Sequence, residues 1–176
     1  MNLPNKLTIL RVAMIPLCLL FALLGFHTAA AAVFGLAALT DLLDGHIARK
    51  HNMVTNFGKF ADPVADKILV LSVMIVLLYQ GLFPWWAVCV VAIRELAVDG
   101  LRLVAVEQGL VIPAGKLGKF KTNAQIFSVL AALLFLPGWL VMALAVIMSV
   151  LTVISGIQYF YGAKSVFQME ETERKI

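Results

Sequence analysis

Four aspartates lie within 26 residues of an otherwise apolar chain: Asp41, Asp44, Asp62 and Asp66. The first two are spaced i,i+3 and the last two i,i+4, so each pair falls on one face of a helix. Carboxylates gathered in apolar surroundings repel one another and lose hydration, and divalent cations remove both costs. Oxygen ligands without His or Cys favour Mg²⁺, Mn²⁺ or Ca²⁺ over zinc, and two such metals would form a clamp for phosphoryl chemistry.

The elements that must position these aspartates are apolar and long enough to cross a membrane. Hydrophobic residues make up 62% of the 176 residues and charged residues 14%, against about 45–50% and about 25% in soluble domains. The sequence predicts an all-α integral membrane protein with six transmembrane helices in a single domain, broken at Gly25, Gly81 and Pro137. The predicted spans cover residues 7–25, 28–49, 57–80, 84–107, 120–136 and 138–162, followed by a polar tail at 164–176.

The distribution of Lys and Arg predicts the orientation. None of the 14 basic residues falls in the links after spans one, three and five. By the positive-inside rule, both termini therefore face the cytoplasm. The net charge of +4 fits anionic lipid headgroups or phosphate substrates, and we expect no nucleic acid partner. Cys18 and Cys89 lack metal-ligand spacing and indicate neither a disulfide nor a zinc site.

In this topology the four carboxylates share one level below the cytoplasmic surface. Asp41 lies about 12 Å into span two and Asp66 about 13 Å into span three. Asp44 and Asp62 each lie about 8 Å from the cytoplasmic ends of their spans. Because spans two and three are predicted to be antiparallel neighbours, the four side chains can converge on one site.

Small residues and one arginine accompany the aspartates. Gly45 and Gly58 would let a bulky ligand approach the backbone, and Ala48 leaves room on the same helix side. Arg49 offers a forked donor to a phosphate or anchors the helix at the interface. Two other interpretations stay open: ion pairs of the aspartates with Arg49 and nearby lysines, and a divalent-cation carrier, since intramembrane carboxylates also mark ion paths.

This stretch resembles the complete signature of the CDP-alcohol phosphotransferase family: Asp41-x2-Asp44-Gly45-x2-Ala48-Arg49-x8-Gly58-x3-Asp62-x3-Asp66. The six-span layout is similar too, so the resemblance covers essentially the whole chain. It implies that the four aspartates bind two divalent cations, Mg²⁺ or Mn²⁺, that Asp66 is the general base, and that a CDP-linked lipid is the donor. It also implies a homodimer in a lipid bilayer. The residues that it assigns to the CDP lipid are Asp41, Gly45, Ala48, Arg49 and Gly58.

Basic residues beyond the signature bear on the acceptor alcohol. The candidates for binding a phosphate on that alcohol are Arg94, Lys116, Lys119 and Lys121. Arg94 lies near the middle of span four, and the lysines lie at the cytoplasmic mouth of span five, where together they could hold a dianion. The alternative for the lysines is the positive-inside rule alone. For Arg94 the alternative is an ion pair with Glu95 or Asp99, the latter also within reach of Arg102.

Four stretches resemble the bacterial family members that use sn-glycerol 3-phosphate: LPNKLTILRV at 3–12, FADPVADKI at 60–68, IRE at 93–95 and GKLGKFKT at 115–122. The resemblance implies CDP-diacylglycerol as donor, sn-glycerol 3-phosphate as acceptor and a place in the bacterial inner membrane. It also implies that Asn5, Thr8 and Arg11 lie near the active cavity and the CDP lipid. The alternative interpretation of these three residues is a helix start with an arginine at the membrane interface. Inositol phosphate, serine and phosphatidylglycerol stay open as acceptors.

Overall fold

Six α-helices make up the part of the chain that the computed structural model describes. That part is the backbone of residues 3–50, 56–107 and 116–163 and the side chains of residues 7–40, 64–107 and 117–163. The helices are α1 (Leu3–Leu23), α2 (His27–Lys50), α3 (Asn56–Tyr79), α4 (Trp85–Glu107), α5 (Lys116–Leu133) and α6 (Gly138–Gly162). The predicted all-α class and the order of six helices are confirmed. The predicted tail at 164–176 lies outside the described residues.

Helices α1, α3 and α5 end in the same backbone motif. After α1, the Gly25 amide donates to the Ala22 carbonyl at 3.2 Å and the Phe26 amide donates to the Phe21 carbonyl at 2.9 Å. This pair of bonds satisfies carbonyls that a helix end leaves free and requires a left-handed residue. Gly25 has φ 83° and Gly81 has φ 73°, whereas α5 uses Phe135 at φ 52°. These motifs set the tight turns into α2, α4 and α6.

Helix α3 lies at the centre of the packing, in contact with α1, α2, α4 and α5. α1 also packs along α2, and α6 packs against α4 and α5. The contact between α2 and α3 confirms that the two helices carrying the four aspartates are neighbours. The core between the helices is filled by fully buried apolar side chains, including Phe34, Leu69, Met74 and Leu133.

Large apolar side chains also cover the outside of the bundle. They are exposed on every helix, for example Leu20, Leu36, Ile75, Leu103, Phe127 and Ile154. Soluble monomers rarely expose apolar patches of this extent. By length and composition, α6 alone among the described helices has the character of a membrane span, with a mean hydropathy of 2.6. Shorter apolar helical segments cover Leu7–Leu23 and His27–Thr40, whereas charged side chains interrupt the apolar surface of α4.

Candidate active site

A polar cavity of about 170 Å³ lies where α3, α4 and α5 meet. α3 contributes the segment from Asp66 to Leu71, α4 contributes residues from its middle, and α5 contributes residues from its N-terminal half. Three separate helices must therefore pack correctly to form the cavity. Apolar residues such as Val70, Val91 and Val98 close its inner wall. The polar side chains that line it are Asp66, Lys67, Arg94, Glu95, Arg102, Lys121, Thr122 and Gln125.

Glu95 is the centre of the ion pairs in this cavity. Its side chain is only 6% exposed and accepts a hydrogen bond from Lys121 Nζ, which is nearly as buried. Arg94 Nη1 lies 3.3 Å from both Glu95 oxygens, and Lys67 Nζ lies 3.8 Å from Oε2. A buried carboxylate is costly unless opposite charges and hydrogen bonds surround it. Three cations from three helices therefore fix Glu95 and are themselves fixed by it.

Two more contacts extend this network. Lys67 Nζ also donates to Asp99, one helical turn after Glu95 on α4. Arg102 Nε donates to the Tyr159 hydroxyl at 3.4 Å, and its guanidinium carbon lies 5.8 Å from the centre of the Tyr159 ring. The Tyr159 contact joins α4 to α6 and leaves the charge of Arg102 without an acidic partner among the described contacts.

The charges around the cavity do not balance. The group contains four cations (Lys67, Arg94, Arg102 and Lys121) and three acids (Asp66, Glu95 and Asp99). Its formal charge is therefore +1. Concentrated positive charge in an apolar protein is costly by itself and becomes favourable when an anion enters. This cationic surplus favours the binding of a phosphate anion.

Two buried N–H donors of this cavity have no hydrogen-bond partner among the described residues. They are Arg94 Nε and Gln125 Nε2. Buried polar groups are nearly always satisfied, so donors left free at the wall of one cavity indicate a place for ligand oxygen atoms. Gly156 of α6 leaves room for the Arg94 stem, because a Cβ placed there would lie 3.2 Å from Arg94 Cγ.

On α1, Thr8 and Arg11 are buried in the same helical face, three residues apart. Arg11 is completely buried and Thr8 is 1% exposed. An arginine that anchors a helix at the membrane interface keeps its head in water. Arg11 is therefore enclosed by the chain itself, two turns inside α1.

Residues 1–151, which include the signature on α2 and α3, match the family profile described as CDP-alcohol phosphatidyltransferase. The chain belongs to this family. A CDP-diacylglycerol–glycerol-3-phosphate 3-phosphatidyltransferase of Bacillus subtilis is 46% identical over 90% of the chain and 93% of the relative. A relative of the same name from Rickettsia typhi is 37% identical over 94% of the chain and 99% of the relative. A Mycobacterium tuberculosis relative named "probable phosphatidylglycerophosphate synthase" is 43% identical over 90% and 79%.

The CDP-alcohol phosphatidyltransferase signature contributes one aspartate to the described cavity, Asp66. Asp41 and Asp44 lie in the last three turns of α2, and Asp62 lies one turn before Asp66 in α3. Their side chains lie outside the described residues, as do those of Asn5, Gly45, Ala48, Arg49, Gly58 and Lys116. Among the described side chains, no three potential metal ligands cluster. The donor set remains four carboxylates on two touching helices, which suits hard divalent cations.

Of the predicted acceptor residues, the structure brings Arg94 and Lys121 together with Asp66. Lys119 is exposed and is not part of the cavity wall. The predicted alternative, an ion pair between Arg94 and Glu95, is present as well. Arg94 thus pairs with Glu95 and lines the cavity at the same time. The suggested pairing of Arg102 with Asp99 does not occur, because Asp99 binds Lys67 and Arg102 turns to α6.

Sequence reasoning missed five polar residues of this cavity. Glu95 and Arg102 were considered only as ion-pair partners, Lys67 was not considered as part of the site, and Thr122 and Gln125 were not singled out. Glu95 could have been found, because an acid inside an apolar span is a functional candidate by default. Lys67 directly follows the predicted base, which was a second available signal.

Proposed function

We propose that the protein transfers the phosphatidyl group from CDP-diacylglycerol to sn-glycerol 3-phosphate, giving phosphatidylglycerol phosphate and CMP. Family membership and the names of relatives at 37–46% identity support this reaction. The single observation that carries the acceptor assignment is the cavity itself. Asp66 of the signature shares it with Arg94 and Lys121, whose cationic heads suit the phosphate of the acceptor.

The donor side of the site rests on the signature. Asp41, Asp44, Asp62 and Asp66 would hold two divalent cations, Mg²⁺ or Mn²⁺. When bound, these cations neutralise the pyrophosphate and make the acceptor hydroxyl more acidic. The CDP lipid would contact the remaining signature positions and buried polar residues of α1, namely Asp41, Gly45, Ala48, Arg49, Gly58, Asn5, Thr8 and Arg11.

Asp66 acts as general base in this proposal. Its carboxylate takes the proton from the acceptor hydroxyl. The oxygen of that hydroxyl forms a bond to the lipid-side phosphorus of the donor, and the bond from this phosphorus to the CMP oxygen breaks. CMP leaves with the electron pair. Asp66 shares its cavity with Arg94 of α4 and Lys121 of α5. This arrangement supports the role of base, because one small acceptor can contact Asp66 and both cations at the same time.

Arg94 and Lys121 hold the acceptor phosphate while Asp66 receives the proton. Positive charge in a site from which water is largely excluded binds phosphate strongly, and a fixed phosphate keeps the reacting hydroxyl in line. Glu95 keeps both cations in place before the acceptor arrives, so little reorganisation is needed. Lys116 and Lys119 stay a sequence prediction, as a basic entry region on the cytoplasmic side.

We further propose a single-domain inner-membrane enzyme with six membrane-crossing helices and both termini in the cytoplasm. The exposed apolar surface of all helices supports the crossings. Trp85 and Trp139 are exposed at the N-terminal ends of α4 and α6, where an interfacial aromatic belt would lie on the outer side. The charged cavity then opens below the cytoplasmic surface, which a water-soluble acceptor can reach. A homodimer remains part of the proposal through the family resemblance.

An acceptor panel tests the proposed function. The purified protein in detergent with CDP-diacylglycerol and Mn²⁺ is given sn-glycerol 3-phosphate, inositol phosphate, serine or phosphatidylglycerol, and CMP release is measured. We expect CMP with glycerol phosphate and at least tenfold less with the others. CMP release with a different alcohol only would overturn the acceptor. The absence of CMP with every acceptor, combined with metal flux in liposomes, would support the carrier interpretation instead.

A further inference from the structure

The side-chain amide nitrogen of Gln125 is buried without a hydrogen-bond partner in the described part of the chain. The residue is 4% exposed, and Nε2 has no hydrogen-bond partner among the described side chains and backbone. Gln125 lines the same cavity as Asp66, Arg94 and Lys121. An unpaired buried donor lowers stability, so its retention needs a reason, and a ligand that accepts its hydrogen bond is one such reason.

The position of Gln125 on α5 relates it to the two ends of the proposed acceptor. It follows Lys121 by four residues, so both side chains lie on one face, with Gln125 about 6 Å farther from the N-terminal end of the helix. α3 and α5 touch each other, and Asp66 of α3 and Gln125 of α5 line the same cavity.

We infer that Gln125 donates from Nε2 to the secondary hydroxyl oxygen of the acceptor and thereby selects for a diol phosphate. The inference rests on the proposed function. In that function, Arg94 and Lys121 bind the acceptor phosphate, and Asp66 accepts the proton of the reacting hydroxyl. The middle hydroxyl of the acceptor therefore has no assigned partner. A neutral amide suits it, because an amide and a hydroxyl each both donate and accept hydrogen bonds.

The site discriminates between acceptors because the Gln125 amide stays unpaired when the acceptor lacks the middle hydroxyl. A site built to hydrogen-bond a substrate hydroxyl rejects the analogue that lacks it, because its own polar group is then left buried and unsatisfied. We expect the wild type to prefer sn-glycerol 3-phosphate over 3-hydroxypropyl phosphate, which lacks only the middle hydroxyl, by about 10–100-fold in kcat/KM, or about 1.4–2.8 kcal/mol.

The test compares these two acceptors in the wild type and in Gln125→Leu, in the full-length protein with CDP-diacylglycerol and Mn²⁺. Leucine keeps similar size and has no donor. We expect the preference to fall to less than about threefold, mainly through loss of rate with glycerol phosphate. An unchanged preference in the variant, or no preference in the wild type, would overturn the inference. Ser128→Ala is the matched control, because Ser128 is buried on the same helix and its hydroxyl bonds only the Ala124 carbonyl of its own helix.

A second readout separates ligand binding from a structural role. Without acceptor, Gln125→Leu should melt at the same temperature as the wild type or higher, because it removes an unsatisfied buried amide. A core glutamine that stabilises the fold would instead melt lower on substitution, and a lower melting temperature with unchanged acceptor preference would refute the inference. If Gln125→Leu does not fold, Gln125→Met, which is unbranched like glutamine, is measured in the same way.

Failure of the inference and failure of the proposed function give different results. If the wild type releases no CMP with glycerol phosphate, the proposed function fails. If the wild type releases CMP with glycerol phosphate but the Gln125 variants keep the wild-type preference between the two acceptors, only the role of Gln125 fails.

Discussion

Lys121 has two roles in this site that a pair of substitutions can separate. It neutralises the buried Glu95, and it is proposed to bind the acceptor phosphate. Lys121→Met removes both functions while keeping the apolar stem of the side chain. Adding Glu95→Gln removes the carboxylate that the lysine neutralised, while the amide oxygen can still accept hydrogen bonds from Arg94 and Lys67. The double variant therefore restores the net charge of the group and leaves the phosphate-binding function missing.

The loss of stability follows from the contacts of Glu95. One charge pair at the 3.3–3.8 Å separations found around it is worth about 4–5 kcal/mol at an effective dielectric constant of about 20, before desolvation. Removing one partner of a buried pair costs about 3–5 kcal/mol. Because Arg94 and Lys67 remain beside Glu95, we expect the lower end, about 3 kcal/mol for Lys121→Met. That lowers the melting temperature by about 6–12 °C.

The effect on the acceptor follows from the lost contact with phosphate. A hydrogen bond to a charged group contributes about 1.5–3 kcal/mol, so the KM for glycerol phosphate should rise about 10–150-fold. The assays are thermal unfolding in detergent and CMP release at varied acceptor concentration, on the wild type, both single variants and the double variant. We expect the double variant to recover most of the melting temperature while its acceptor KM stays high.

Recovery of both quantities in the double variant would refute this reasoning, because Lys121 would then act only as the counter-ion of Glu95. Lys119→Met is the comparison variant. Lys119 is exposed and absent from the cavity wall, so we expect its melting temperature to stay the same and its acceptor KM to rise far less. A larger KM effect at Lys119 than at Lys121 would place the phosphate outside the cavity.

Three further predictions address other parts of the site. Asp66→Asn should abolish CMP release without lowering the melting temperature, and near-normal turnover would remove it as the base. Gly156→Ala should raise the acceptor KM about 3–10-fold, because its Cβ displaces the Arg94 stem; Gly162→Ala, which meets nothing within 4 Å, should leave it unchanged. Removal of divalent cations with EDTA should stop CMP release, and Mn²⁺ or Mg²⁺ should restore it; activity that persists in EDTA would refute the metal requirement.

Most helix limits could be predicted from the sequence, because glycines and prolines interrupt apolar runs at the turns. The prediction was least accurate for α5, which begins at Lys116 rather than at residue 120. Hydropathy detects where a segment becomes apolar, whereas a helix continues into polar residues with good helix propensity, such as lysine, at little cost. α5 also ends early, at Leu133, because Phe135 adopts the left-handed conformation expected of glycine, with its ring edge-to-face against His27.

The contacts of the site were harder to predict than its residues. Arg94 and Glu95 are adjacent in sequence, so their pairing could be proposed in advance. Lys121 reaches Glu95 across 26 residues and Lys67 reaches Asp99 across 32. Such partners depend on how far one helix slides and rotates along another, which the period of apolar residues does not determine. The free amide of Gln125 is likewise visible only when its neighbours are known.

The three tight turns also bear on how the chain enters a membrane. The segments 24–26, 80–84 and 134–137 contain no Asp, Glu, Lys or Arg, and backbone bonds at each turn occupy carbonyls of the preceding helix. In the proposed orientation these are the tips that cross the bilayer during biogenesis. Passing a single Lys or Arg through the hydrocarbon centre would cost about 2.5–3.5 kcal/mol. Each helical hairpin can therefore insert tip first, because no charged side chain in the tip has to cross the bilayer.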